Sequence, residues 1–228
     1  MMRLFLAPHH DDALLSLAGH LLANKSSGNS GNSHVAVVFS RESRQLEETC
    51  TRLHSTLGLS LHFLGFEEAI RRGVSLRNCL RTSRTVQQVS SDAIVKAVQA
   101  RLREHIYLLQ PSMIYCPLLP VHIDHALVRA AADGLQETKL IYYEDQPYAS
   151  LHPRVLARER FGMIGVEGIC RAQDIDVETL LHELKGIVPP QHLNRILLYY
   201  RTSGLRPSHI LWRREGRNVN QTRPDSRS

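Results

Sequence analysis

The chain has 228 residues, enough for one ordinary domain with its own core, and a hydrophobic share of 43% excludes a disordered protein. No run approaches the roughly 20 apolar residues that span a bilayer, and the apolar run in MMRLFLAPHHDD is short and ends in charge, so neither a membrane span nor a signal peptide is expected. The net charge of +6 is modest and unaccompanied by any nucleic-acid motif, so nucleic acid is not an expected partner.

Taken in chain order, Arg3–Ala7 is an apolar run closed by Pro8 and reads as a buried strand. Leu14, Leu15, Leu17, Ala18, Leu21 and Leu22 follow at helical spacing, and 25–33 is a Ser/Gly/Asn loop. The β-branched stretch 34–39 predicts a second strand. Residues 42–57 predict an amphipathic helix stopped by Gly58, and 61–66 a third strand. Segment 71–90 carries five arginines (71, 72, 77, 81, 84), no acids and little periodicity, which predicts a long loop or lid. A helix over 92–109 ends at Pro111, followed by a strand at 113–116, a helix at 125–135 and a strand at 139–143. Shorter helices are predicted at 154–160, 177–184 and 190–200. Residues 1–212 read as a single domain. From Arg213 onward, five arginines (213, 214, 217, 223, 227) against Glu215 and Asp225 leave a polar, aperiodic tail of +3, read as disordered over 213–228.

Cys50, Cys79, Cys116 and Cys170 lie far apart without a CxxC pair, which together with the missing export signal predicts a cytoplasmic protein without a disulfide framework. Strands and helices alternate, and the strands are apolar runs rather than period-2 patterns. That predicts an α/β, Rossmann-like fold, with a mostly parallel sheet covered by helices on both faces. Ligands of such folds bind beyond the carboxyl ends of the strands. The polar clusters fall there: His9 to Asp12 after the first strand, Ser40-Arg41 after the second, Glu67-Glu68 after the third, His122 to His125 after the fourth and Glu144-Asp145 after the fifth.

Two clusters carry metal chemistry. Pro8-His9-His10-Asp11-Asp12 packs two imidazoles and two carboxylates into one turn, and adjacent carboxylates call for a cation. His122-Ile123-Asp124-His125 repeats the donor types at another strand end. Two histidines and a carboxylate leave a catalytic zinc one position for water, which ionises near neutral pH and becomes a nucleophile. Most of the 13 histidines are ordinary, and His20, on the apolar side of its helix, reads as packing. His10 reads as a surface or packing residue.

APHHDD followed by ALLSLAGHLL, then HIDHALVRAA, then YYEDQPYA, resembles the LmbE-like, PIG-L-type N-acetylglucosaminyl deacetylases over about residues 2–150. The resemblance implies a zinc-dependent N-deacetylase in which His9, Asp12 and His125 bind the metal, with Fe2+ as the alternative ion. It implies Asp11 as the general base, and His122 as the residue that stabilises the tetrahedral intermediate or assists proton delivery to the leaving amine. Asp124 is expected to orient a ligand histidine, since ligand imidazoles need an acceptor for their second nitrogen. Three departures stand out: His10 occupies the position where the family commonly has proline, Ala13 follows the aspartates where the family often has Glu, and Pro120, two before His122, stands where some relatives use a tyrosine. Arg41, Glu68, Arg72, Glu144 and Asp145 lie where a sugar's hydroxyls or charges can be bound.

The expected partner is a small amide, sugar-containing by resemblance, and a homo-oligomer is compatible with the sequence. Two rivals are a non-haem iron enzyme, either an oxygenase with His9-x-Asp11 and a distant histidine as its facial triad or one built on the same His/Asp/His ligands, and a non-catalytic family member that binds a sugar or nucleotide.

Overall fold

The computed structural model describes residues 1–26, 28, 32–40, 44–80, 92–135, 139–161, 163–166, 194 and 211–214. Their elements are β1 (Arg3–Ala7), α1 (Asp12–Ser26), β2 (Ser33–Phe39), α2 (Arg44–Thr56), β3 (Ser60–Phe66), α3 (Leu76–Leu80), α4 (Ala93–Leu109), β4 (Met113–Pro117), α5 (Ile123–Asp133), β5 (Leu140–Tyr143), α6 (Tyr148–Leu151), α7 (Pro153–Arg160), β6 (Met163–Val166) and β7 (Leu211–Arg214).

The strands form one sheet in the order β3-β2-β1-β4-β5-β7-β6. The pairs β3-β2, β2-β1, β1-β4 and β4-β5 are parallel, whereas β7 runs antiparallel to both β5 and β6. The fold is therefore α/β with a mostly parallel sheet. Side chains of β1 alternate between two cores. Phe5 and Ala7 pack with Leu14, Leu17 and Leu21 of α1 and Leu53 of α2 on one face. Leu4 and Leu6 pack with Val95, Val98 and Leu102 of α4 and Ala126, Leu127 and Ala130 of α5 on the other. With helices on both faces, both sides of each central strand must be apolar, which is why these strands read as continuous runs. A fully buried leucine contributes about 1.5–3 kcal/mol, so the inner leucines of β1 and α1 anchor the turn between them.

Helix ends follow from local chemistry. Gly58 takes φ 71 just beyond α2, a left-handed conformation that glycine adopts without a Cβ penalty. Gln110 ends α4 at φ 48 with its N–H on the Ile106 carbonyl at 2.8 Å, and Pro111 prevents continuation. The helix expected from 125 begins two residues earlier, at Ile123, with His122 as its N-cap.

Three further expectations meet the structure differently. The lid segment 71–90 contains a short helix, α3, and residues 81–91 lie outside the described residues. β6 and β7 were not foreseen, and β7 carries Arg213 and Arg214 of the supposed tail into the sheet, where they pair with Ile164 and Met163. Burial of Leu211 against the β1–α1 core, at 2% exposure, together with pairing on both edges of β7, outweighs the polarity of its arginines. The helices expected at 177–184 and 190–200, apart from the single position 194, lie outside the described residues, as does 215–228. Among the described residues, no helix is long and apolar enough to cross a membrane.

The strand order places the site. The chain winds outward from β1 through β2 to β3, then returns to the other side of β1 as β4. The loops leaving β1 and β4 thus depart in opposite directions and open a crevice at the carboxyl ends of the strands, where ligands of such sheets bind.

Candidate metal centre

β1 and β4 are direct neighbours, with Leu4 opposite Ile114 and Phe5 opposite Tyr115, so the residues that follow them meet at the crevice. The turn after β1 folds back on itself: the His9 backbone N–H donates to Asp12 Oδ2 at 2.7 Å. The Phe39 N–H donates to the Pro8 carbonyl at 2.9 Å and ties this turn to the end of β2. After β4, Arg129 of α5 donates to the Leu118 carbonyl and, at 2.7 Å, to Glu159 of α7, which fixes the chain leading to His122.

His9, Asp12 and His125 converge. Asp12 Oδ2 lies 3.2 Å from His9 Nδ1 and 3.3 Å from His125 Nε2. Ligand atoms about 2.0–2.1 Å from a tetrahedral ion stand about 3.3 Å from one another, so these separations suit one ion. Each histidine turns its other nitrogen to a buried carboxylate. His9 Nε2 lies 3.1 Å from Asp124 Oδ2, and His125 Nδ1 lies 2.7 Å from Asp145 Oδ1. Among the described residues the fully buried Nε2 of His125 has no hydrogen-bond partner, an arrangement that costs free energy unless the atom is used in another way. Nitrogen and carboxylate donors of this kind suit Zn2+ or Fe2+, so the residues present fit a divalent ion. A second grouping, His9 with His122 and Asp124, shares His9 but spends Asp124, whose oxygens already accept from Arg72 and the Ala69 N–H.

The electrostatics favour positive charge at the point of convergence. Burial disfavours a charged His125, yet Asp12 and Asp145 override it and hold its pKa up, at about 9. Burial likewise opposes charge on His9, and Asp12 and Asp124 again outweigh it, so its pKa stands well above the usual value. Burial acts to raise Asp12, but His125 and His9 bring it far below the ordinary carboxylate range. Asp124 is lowered to about 2 in spite of burial, by His9, Arg72 and the Ala69 N–H.

His122 is different. Its Nδ1 accepts the Asp124 backbone N–H at 3.2 Å, as the N-cap of α5. Burial, followed by the neighbouring His125 and His9, lowers its pKa to about 3. With Nδ1 committed as acceptor, the neutral ring carries its proton on Nε2 and is a donor there.

The remaining expected residues distribute unevenly. Asp11 is half-buried, and its charge is among those that act on Tyr148. Arg72 is turned inward: it donates to Asp124 Oδ1 at 2.6 Å and to the Glu67 carbonyl at 2.8 Å, and its guanidinium lies 4.8 Å from the centroid of the Phe39 ring. Asp145 has no solvent exposure and accepts from the Leu119 N–H at 2.7 Å as well as facing His125, so its carboxylate is turned to the protein. Glu144, 4% exposed, accepts from Arg160 Nε at 2.7 Å. Glu68 lies 3.5 Å from Arg71 at the surface, and Arg41 lies outside the described residues. His10 is fully buried with its ring 5.4 Å from Phe63, so it is a packing residue and not a surface one. His20 packs against Phe5 and Tyr115.

Two contributors escaped the sequence reading. Arg129 follows His125 by one helical turn, a spacing that was the available signal for a shared face. Tyr148 sits in the YYEDQPYA segment without an assigned role, yet its ring centroid lies 4.9 Å from that of His125.

Fold and site together define a doubly wound α/β protein with a candidate His/Asp/His metal site at its topological switch point. No family model matches the chain, and no curated protein does. Solved structures do. A deacetylase in complex with teicoplanin, from the biosynthesis pathway of teicoplanin, is similar with a TM-score of 0.65 at 18% identity, over 93% of this chain and 97% of that one. The A40926 pseudoaglycone deacetylase Dbv21 is similar with a TM-score of 0.56 at 16% identity, over 92% and 95%. The conserved protein TT1542 from Thermus thermophilus gives 0.55 at 19% identity, over 92% of each chain. At these identities the likeness is one of fold.

Proposed function

We propose that the chain is a divalent-metal-dependent N-deacetylase of the LmbE-like, PIG-L type, acting on the N-acetyl group of an amino sugar or sugar-conjugated amine. The observation that carries this is the meeting of His9, Asp12 and His125 at 3.2–3.3 Å, with the second nitrogen of each histidine held by its own carboxylate. The APHHDD and HIDH motifs and the fold shared with solved deacetylases support the same reading. An iron oxygenase built on His9-x-Asp11 is disfavoured, because Asp12 rather than Asp11 closes on the two histidines.

Zinc, or alternatively ferrous iron, held by His9, Asp12 and His125 would supply an acidified water and polarise the amide carbonyl. Asp11 accepts a proton from the attacking water, whose oxygen bonds to the carbonyl carbon. His122 presents Nε2–H to the acyl oxygen, which gains negative charge as the bond forms. The C–N bond then breaks, Asp11 passes its proton to the departing nitrogen, and acetate and the free amine leave. Asp124 and Asp145 hold His9 and His125 in the tautomers whose lone pairs converge.

The test is acetate release from a panel of free and conjugated N-acetylated amino sugars by the zinc-loaded and iron-loaded protein. Turnover that falls at least about 10³-fold in Asp11→Asn, with metal content unchanged, is the expected result. Silence across the panel with both ions overturns the sugar-amide assignment, and a fully active Asp11→Asn overturns the mechanism.

A further inference from the structure

β5 and the segment after it hold three tyrosines with different fates. The Tyr142 hydroxyl donates to Asp133 at 2.6 Å, and the Tyr143 hydroxyl to the Leu6 carbonyl at 2.8 Å. Both are spent on holding the fold. Tyr148, the first residue of α6, is half-buried, and among the described residues none takes a hydrogen bond from its hydroxyl.

Its ring is nonetheless fixed at the metal cradle. It stands edge-on to His125 at 81° with centroids 4.9 Å apart, and lies 6.1 Å from the His122 ring at a tilt of 31°. It therefore borders both the candidate ligand and the residue that donates to the acyl oxygen. The charges of Asp12, Asp11, Asp145 and Asp124 all bear on the phenol, which places it among the acids that surround the crevice. A packed aromatic ring whose polar tip is unclaimed among the described residues has a donor left for a ligand.

We propose that Tyr148 is a substrate-contacting catalytic residue whose hydroxyl donates a hydrogen bond to the acyl oxygen, beside the Nε2–H of His122. The assignment rests on the deacetylase reading above. The acyl oxygen gains charge as water adds, and two neutral donors from different elements, the N-cap of α5 and the first residue of α6, meet that charge. Tyr148 itself forms no covalent bond and gives up no proton.

The experiment compares the zinc-loaded wild type with Tyr148→Phe, which keeps the ring packed against His125 and removes only the hydroxyl. Three quantities are read: bound zinc, the affinity for acetate by calorimetry, and kcat and KM on the best N-acetylated substrate. Unchanged zinc, acetate binding about 10-fold weaker, and kcat about 100-fold lower with KM within about 3-fold is the expected result. Wild-type acetate affinity and kcat in Tyr148→Phe mean that the residue only packs, and overturn the proposal. Loss of zinc in Tyr148→Phe overturns it as well, by making the hydroxyl part of the metal site's support. Should the wild type hydrolyse no amide, the deacetylase reading fails, while weaker acetate binding by Tyr148→Phe at full zinc content still upholds the hydroxyl as the donor to an acyl-type oxygen.

Discussion

His125 Nδ1 and Asp145 Oδ1 lie 2.7 Å apart with neither residue exposed to solvent. The pair joins α5 to the end of β5 and decides which nitrogen of His125 has a free lone pair. With Nδ1–H on Asp145, Nε2 faces Asp12 as an acceptor or ligand. Asp145→Asn keeps the shape but offers an amide that can donate to Nδ1 and so stabilise the opposite tautomer. Zinc affinity, measured by competition with a chelator, is expected to fall about 10–100-fold, the usual consequence of losing the partner of a ligand histidine. Unaltered affinity would remove Asp145 from the metal site.

Two histidines away from the crevice set a pH dependence of stability. Burial lowers the pKa of His54 to about 4, with His10 adding to the fall and the Cys50 carbonyl opposing it. Burial, then Arg3, lowers His20 to about 4 as well. In the unfolded chain both titrate near 6.5. Their contribution is therefore complete above about pH 6.5 and declines as pH falls toward 4, because the unfolded state binds protons that the folded state refuses. Below about 4 both states are protonated and these groups cause no further loss. The shifts correspond to about 3 kcal/mol for each histidine. Urea unfolding at about pH 7.5, 5.5 and 4 measures the slope, which His54→Gln should flatten. An equal slope in that variant would show that His54 is not responsible.

Most of the fold was legible because its signals are local. The apolar runs of β1 to β5, the stops at Gly58 and Pro111, and the two histidine clusters all stand in short stretches of sequence. β6 and β7 were not legible: MIGV and LWRR are four-residue strands whose reason for pairing is the exposed edge of β5, a fact of the assembled sheet. Asp145 shows the same limit at the site. A carboxylate after a strand can face solvent or protein, and only the pairing of β4 with β5, which sets Tyr143 beside Pro117, brings Asp145 under Leu119 and His125. Arg72 reads in the sequence as a substrate-binding cation on an arginine-rich lid, but the carboxylate that claims it is 52 residues away in sequence. His122 as an N-cap was hidden because the usual capping residues are Ser, Thr, Asp and Asn.

The double role of His122 can be separated by substitution. Its Nδ1 caps α5, and the proposed mechanism assigns its Nε2–H to the substrate. Asparagine is a strong N-cap and lacks the imidazole, whereas alanine lacks both functions. His122→Ala is expected to lose about 1 kcal/mol of stability, and His122→Asn much less. Both should lose about 10²–10³-fold in kcat on the deacetylation substrate. Thermal melts paired with initial rates make the comparison, and retention of activity by His122→Asn would show that only the cap matters.

Arg72 and Asp124 offer the sharpest energetic test of how the loop after β3 is held. Asp124 is fully buried and receives Arg72 Nη2 at 2.6 Å, the Ala69 N–H at 2.9 Å and His9 Nε2 at 3.1 Å. Removing the guanidinium leaves a buried carboxylate with less positive charge around it, a change that usually costs more than the intact pair contributes. Arg72→Met keeps the apolar stem over Phe39 and should destabilise the chain by about 2 kcal/mol, because Arg72 is one-fifth exposed and partly solvated. Asp124→Asn removes the charge that Arg72 answers, so the double variant should recover part of the loss. A coupling of about 1–3 kcal/mol in the double-mutant cycle is expected, read by urea unfolding. Strict additivity would mean that the two side chains touch without sharing energy, and that the loop is held by the Ala69 N–H and packing instead.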